Sequence, residues 1–599
     1  MGYNSVDLSF IEQGDQLGEE IASLWSLWKS QRAQAEARWK ETQQFVYATS
    51  TRETSNAGVG GDDGEGWAHS THIPKITQIR DNLIANYQAA LFPNDDYLKF
   101  EGMDDDAVSL EKRQAVEAYL RTKHKLSDFE PEVSRLVEDW VDYGNCFAQV
   151  YFTRETHEDP DTGNEGLSYI GPRIRRISPF DIVFNPIAES FAKTPKIIRS
   201  IYSLGDLARE IEESPDGAYF KEVFDKIVDN REKVRGIGQD VFDKYSQMSF
   251  DGFGSVYTYM TSGYVEVLDF YGDIYDIEGK TLLKNHIVTV VDRKFVIRKQ
   301  AMKTWTGRPH LYHAGWRKRP DNLWAMGPLD NLVGMQYYIN HLENARADAF
   351  DEMIFPDLVI QGEVQVVQEE GSPKKTYIVP EAGQGAVSYL APDTNVLNAD
   401  FQIQRKEQQM EEYAGAPKEA MGIRSPGEKT AYEVQQLTTA ASRLFQHKIT
   451  EFERTFLEPI VNAEIEVARR NLDVMDVISI IDNDTGAVEF LNITKEDITA
   501  NGKIVPIGAR HFAQRQQKIQ ELTQAFQLIE STGMAQHIPS HKQVRALLSE
   551  LGFDKYDLFE PFGRIAEQMQ AQRLINAAQD TVQSEAMIGP PMPEEPPIE

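Results

Sequence analysis

Apolar residues recur at three- and four-residue steps over several long stretches, which predicts amphipathic helices. Residues 15–50 read as a long polar helix carrying Leu24, Trp25, Trp28 and Trp39. That aromatic stripe fits either a partner surface or packing within the chain. A Gly/Asp-rich loop, TRETSNAGVGGDDGEG (51–66), follows. Pro74 then opens a helix whose apolar face includes Ile76, Ile79, Leu83, Ile84 and Tyr87. Two more helices are expected near 107–126 and 129–143, the second ended by Gly144. A helix over 329–353 carries Leu332, Met335, Ile339 and Leu342, and Pro356 breaks it. A returning helix covers 399–414. From Thr430 a very long helix runs to about residue 470, with Leu437, Ala441, Leu444, Ile449, Phe452, Phe456 and Ile460 along it. At about 1.5 Å per residue it would span roughly 60 Å. The run IVPIGARHFAQRQQKIQELTQAFQLI returns to helix, and 536–585 form a helical end.

Period-two alternation between turn signals predicts strands in the middle of the chain. CFAQVYF (146–152) and the proline-bracketed SPFDIVFNP (178–186) are two. YVEVLDFYGDIYD (264–276), HIVTVVD (286–292) and KFVIRKQ (294–300) read as antiparallel strands with tight turns. SLGDLAREIEE (203–213) starts a helix with Ser203 as its cap. Residues 356–398 read as a small β-rich module with a hairpin around Gly371 to Pro373, and VISIIDNDTGAVEFLNI (477–493) as another hairpin. The fold class is α+β, mostly helical.

Charge narrows the function classes. Sixty-two Lys and Arg face 94 Asp and Glu, a net charge of −32 over 599 residues. Such a surface repels nucleic acid, so any DNA role rests on loose passage or on local basic spots. The single cysteine, Cys146, excludes an internal disulfide framework. The first residues, MGYNSVDLSFIEQGD, carry neither the basic region nor the apolar core of a secretory signal. No apolar run approaches the length of a membrane span.

Candidate chemistry is sparse. GIRSPGEKTAYEV (422–434) nearly spells a phosphate-binding loop, but Glu428 separates Gly427 from Lys429 and no buried strand precedes it. Thr430 and Glu433 instead form a capping box at a helix start. The pairs His69/His72 and His310/His313 lack further ligands for a metal. DNDTG (482–486) lacks the closing Glu of a calcium loop and reads as a hairpin turn. Asp104, Asp105 and Asp106 complement the positive end of the following helix. No nucleophile elbow appears. The expectation is a protein that is not an enzyme and has no catalytic residue, metal or cofactor. What remains are basic spots: Lys374 and Lys375 at the tip of the β module, and Lys418, Arg424 and Lys429 in the loop before the long helix.

The order of parts resembles phage portal proteins, the head-to-tail connectors of short-tailed tailed phages. The segments that carry the resemblance are HSTHIPKITQIRDNLIANYQAALFP, LVEDWVDYGNCFAQVYF, ISPFDIVFNP, PGEKTAYEV and ITKEDITANGKIVPIGARHFAQR. It implies a portal fold assembled as a ring, usually a dodecamer, at one capsid vertex. Residues 1–326 would be the N-terminal helix and α/β wing, and 327–353 and 399–414 the two stem helices. Residues 354–398 would be the clip, docking the motor and tail adaptor through Lys374 and Lys375. Residues 415–430 would be the tunnel loop, with Lys418, Arg424 and Lys429 toward DNA phosphates. The long helix and returning wing elements would occupy 431–530, the crown 531–585, and a disordered tail 586–599. The implied partners are double-stranded DNA in the channel, the terminase motor, tail adaptors, and major capsid and scaffolding proteins, with no membrane. The implied location is the virion, after synthesis in the host cytoplasm. A different virion structural protein, such as a tail adaptor or internal capsid protein, would share the acidic, cysteine-poor composition. An ATP-driven packaging subunit would need the phosphate loop that Glu428 breaks.

Overall fold

The computed structural model describes residues 4–50, 69–92, 97–102, 107–158, 165–214, 217–235, 264–302 and 304–354. Beyond these it describes 358–361, 365–368, 375–378, 386–389, 399–414, 445–471, 476–481, 488–493 and 502–506. The expected tunnel loop, crown and tail lie outside the described residues, as do Asp104, Asp105, Asp106, DNDTG and residues 431–444.

The chain mixes helix and strand. It opens with β1 (Ser5–Leu8), α1 (Gly14–Tyr47), α2 (Lys75–Leu91) and β2 (Leu98–Gly102). Then come α3 (Ala107–Leu126), α4 (Phe129–Asp142), β3 (Asn145–Glu158), β4 (Glu165–Ile177), β5 (Ile182–Phe184) and β6 (Lys196–Ser203). After α5 (Leu204–Glu213) and α6 (Lys221–Arg235) follow β7 (Tyr264–Asp276), β8 (Thr281–Val291) and β9 (Phe295–Ala301). Three short strands, β10 (Leu311–Gly315), β11 (Arg317–Arg319) and β12 (Asn322–Met326), lead to α7 (Val333–Ile354). Between α7 and α8 (Ala399–Ala414) lie β13 (Leu358–Gln361), β14 (Gln365–Gln368), β15 (Lys375–Ile378) and β16 (Ala386–Tyr389). The helix α9, residues 445–471, contains a π turn at Glu453–Leu457. Last come β17 (Asp476–Ile481), β18 (Val488–Ile493) and β19 (Gly502–Pro506).

The larger sheet has the order β5-β6-β7-β8-β9, with β1 parallel to the end of β7. Alternation along β7 sorts its side chains to two faces. Leu268 and Phe270 join Val288, Val290 and the α1 residues Leu17, Ile21, Trp25 and Trp28 in one core. Val265 and Val267 face the other way, against Leu207, Ile211 and Ile227 of α5 and α6. Farther along α1, Trp39 packs with Tyr143, Phe147 and Trp324. Intramolecular packing thus accounts for the tryptophan stripe of α1: Trp25, Trp28 and Trp39 are all buried. Buried Arg32 on the same helix donates to Pro179 O at 2.9 Å and Ile182 O at 2.7 Å, fixing the SPFDIVF turn.

A smaller sheet, β10-β3-β4, packs against α4 and α9. Gly144, between α4 and β3, has φ +69, and a Cβ there would meet Gly327 N at 2.3 Å. Glycine is therefore required by both conformation and space.

Several expectations are corrected. IVP at 504–506 is not helical: it belongs to β19, which runs antiparallel to β2. Asn462 of α9 holds this strand by both Ile504 N–H, at 3.0 Å, and Ile504 O, at 2.9 Å. The helix expected from 329 begins at Val333, after a turn closed by Leu332 N–H on Leu329 O. Within 178–186 only Ile182–Phe184 is strand.

The chain divides into two compact units, Met1–Asp476 with Ile493–Ala509, and Val477–Asn492 with Arg510–Glu599. In the second, the paired strands β17 and β18 are the described elements.

Candidate functional site

Helices α7 and α8 run side by side in opposite directions. Arg346 reaches Asp400 at one level, and Lys406 lies over the Tyr338 ring at 5.6 Å at another. The chain between them forms nested strand pairs. The outer pair is β13–β16, with Leu358 opposite Tyr389, and the inner is β14–β15, with Gln368 opposite Lys375. Lys375 therefore sits at the end of the inner pair, beside the connection 369–374. Lys374, Lys418, Arg424 and Lys429 lie outside the described residues.

What the structure does assemble is a polar ladder. Apolar periodicity assigns Leu332, Met335, Ile339 and Leu342 to the buried face of α7, and Leu332 and Ile339 are fully buried. Equally buried, however, are Gln336, Asn340 and Asn344, at 0%, 2% and 0% exposure. Together with Asp348 they recur every four residues, one above another on the helix. Against them run an extended segment, residues 69–74, and the first turn of α2 that follows it.

Each rung binds backbone. Ile76 N–H donates to Gln336 Oε1 at 3.2 Å, and Gln336 Nε2 donates to Ile73 O at 2.5 Å. Ile73 N–H donates to Asn340 Oδ1 at 3.3 Å. Thr71 N–H donates to Asn344 Oδ1 at 2.9 Å, and Asn344 Nδ2 returns a bond to Thr71 O at 3.3 Å. His69 N–H donates to Asp348 Oδ1 at 3.1 Å. Two residues of extended chain advance about 6.6 Å. Four residues of helix advance about 6 Å. That near-match lets a strand lie on a helix with its backbone paired.

Where the segment turns into α2, Lys75 Nζ meets Glu411 Oε1 of α8 at 2.6 Å, each side chain 5% exposed. The segment thus clamps both helices. The sequence signal, Gln-x-x-x-Asn-x-x-x-Asn-x-x-x-Asp from 336 to 348, was there to read but falls outside a search for apolar stripes.

The histidine pairs separate. His69 Nε2 lies 2.7 Å from Asp351, while His72 Nδ1 pairs with Asn340 Nδ2 at 2.8 Å. His310 lies 3.7 Å from Glu466, whereas His313 Nε2 pairs with Asn145 Oδ1 at 3.0 Å. Burial pushes His313 down to about 3, a neutral core imidazole. Among the described residues no group of three or more His, Cys, Asp or Glu is placed to hold a metal. None of the described helices is long and apolar enough to cross a membrane.

The outer surface of the helix pair is apolar in places. Tyr338, Phe350 and Ile354 of α7 and Phe401 and Tyr413 of α8 are exposed, Phe401 by 69% and Tyr413 by 61%. Glu343, Asp348, Asp351, Glu352, Asp400, Glu407, Glu411 and Glu412 outnumber Arg346, Arg405 and Lys406 on these helices.

No family model matches the sequence, and none of the curated proteins compared with it matches.

Proposed function

We propose that the chain is a subunit of a portal-type ring, a channel at one capsid vertex through which DNA is packaged and ejected. The observation that carries this reading is the antiparallel pair α7 and α8, joined by nested strand pairs and exposing large apolar side chains outward. In a ring these two helices line the channel as the stem, and the strand module between them is the clip that meets motor and tail adaptor. Tyr338, Phe350, Ile354, Phe401 and Tyr413 pack against neighbouring copies, which explains aromatic rings left in water by a single chain. The acidic excess on the helix pair suits a channel that lets DNA slide. Lys418, Arg424 and Lys429 form local rings of positive charge that centre the duplex, and Lys374 and Lys375 serve the docking end.

The test is assembly. Phe401→Lys with Tyr413→Lys replaces two exposed residues, so the monomer keeps its folded stability. The ring reading requires that native mass spectrometry show closed oligomers for the parent chain and their loss in this variant. Equal assembly of both would contradict it.

A further inference from the structure

One end of the larger sheet leaves apolar side chains in water. Asp7 of β1 stands opposite Tyr275 of β7, and Tyr275 stands opposite Leu282 of β8. Ile277 N–H donates to Leu8 O at 3.1 Å. These pairings bring Tyr275, Ile277 and Leu282 to one end, and Phe10 follows β1 there; all four are exposed. The rim is acidic, with Asp7, Glu12, Asp15, Glu19 and Glu278 exposed. Partial burial raises the Glu20 carboxyl, and the nearby Glu278 charge adds to it. Lys280 and Lys284 stand near the β7–β8 turn, and Lys299 is held on Ile11 O at 3.0 Å. Aromatic rings beside carboxylates suit a guanidinium, which stacks on the one and forks onto the other.

Groups of that kind project from the β11–β12 hairpin. Residues 293–320 hold nine Lys and Arg and no Asp or Glu, in a chain where acids outnumber bases 94 to 62. Within that run Arg317, Lys318 and Arg319 are all exposed. Lys318 is held 3.1 Å from Glu451. Arg317 lies over the Trp316 ring at 5.5 Å, and neither Arg317 nor Arg319 forms an ion pair among the described residues. Asp321, in the turn, is the neighbouring acid.

Helix α1 measures the distance between the two surfaces. Its N-terminus, with Asp15 in the first turn, lies at the acidic end. Farther along, the Trp39 ring meets that of Trp324 in β12 at 5.3 Å. Burial raises the Asp330 carboxyl, and the charges of Arg38 and Arg317 both oppose that rise, so Arg38 marks the level of the hairpin. From Gly14 to Arg38 the helix rises about 36 Å. One chain therefore does not seat its own hairpin on its own apolar end.

We propose that the β11–β12 hairpin of one copy docks on the apolar, acid-rimmed end of the next, the Arg317 and Arg319 guanidinium groups meeting the rim carboxylates and the Tyr275 and Phe10 rings. Charge complementarity within one acidic chain selects a second copy as the occupant. The two surfaces differ, so the contact is head-to-tail, the kind that closes a ring when its rotation permits. The inference rests on the ring reading and adds to it a contact separate from the apolar side chains of α7 and α8.

Charge reversal in the full chain tests it. One variant carries Arg317→Glu with Arg319→Glu, a second Glu12→Arg with Glu278→Arg, and a third all four changes. The replaced residues are exposed, so all three variants should unfold at the parent's temperature. Native mass spectrometry at fixed concentration and salt should show a several-fold smaller assembled fraction in each of the first two and recovery in the third. Parent-like assembly in either of the first two, or no recovery in the third, would overturn this contact and leave the ring reading standing. A parent chain that does not assemble removes both. Carbodiimide coupling of mixed isotope-labelled and unlabelled copies identifies the occupant. Lys318 should couple to the Glu12, Asp15, Glu19 or Glu278 carboxylate in peptides of mixed label. Coupling of Lys318 only within one label, or to other segments of the chain, would overturn the proposal.

Discussion

Single buried charges dominate at the scale of the residue. Lys75 and Glu411 are paired at 2.6 Å out of water. Removing one partner strands the other, which costs about 3–5 kcal/mol, whereas replacing both by apolar groups is close to neutral. Lys75→Met and Glu411→Leu should each lower stability by about that amount in urea titration, and the double variant by much less. Lys196 differs because no carboxylate among the described residues pairs with it: it is fully buried, donates to Phe191 O at 2.7 Å and lies over the Phe191 ring at 4.2 Å. Desolvation, helped by Arg308, pushes it down to about 7 from the usual 10.5. Between those values the unfolded chain binds the extra proton, so stability rises with pH from 7 toward 10.5 and this gain is absent below 7. Lys196→Met should stabilise the protein at pH 6, on the order of 2–4 kcal/mol, with the advantage shrinking as pH rises toward 10. Thermal unfolding across that range checks the sign.

Hydrogen-bonded polar side chains decide the packing between elements. Asn344→Leu keeps the bulk but leaves the Thr71 N–H and C=O without their partner. It should cost about 1–3 kcal/mol and speed exchange of the Thr71 amide. Gly144→Ala forces a Cβ into the Gly327 backbone at a positive φ. It should cost more than about 2 kcal/mol, read as a lower urea midpoint with an unchanged slope. Gly144 was legible as a helix stop. Ser203 was legible as the cap at a helix start, and its Oγ accepts the Asp206 N–H at 3.0 Å. Strand β7 coincides with the alternating run read at 264–276. Less legible was Ile504, buried in β19. Its short apolar run has no period long enough to separate strand from helix, and its partner Phe100 lies some four hundred residues earlier. Helix α6 went unread between turn signals. The ladder was missed because apolar periodicity treats Gln336, Asn340 and Asn344 as surface, while their burial depends on a backbone segment far away in sequence.

The whole molecule joins a mixed helix-and-strand body to a helix pair with an apolar outer face and an acidic balance. A lone chain gains nothing from Phe401 and Tyr413 in water, whereas burying each between copies contributes about 1.5–3 kcal/mol. On the ring reading, that burial is what favours contact between neighbouring copies. If Lys418, Arg424 and Lys429 line its narrowest part, neutralising the three together should alter DNA packaging or retention while rings still form; unchanged packaging would remove them from that role. The most direct measurement is electron microscopy of the purified chain, with class averages viewed along the symmetry axis. The portal reading predicts closed rings of about twelve copies around a hole that admits duplex DNA. A chain that stays monomeric even with scaffolding and capsid partners supplied would contradict it.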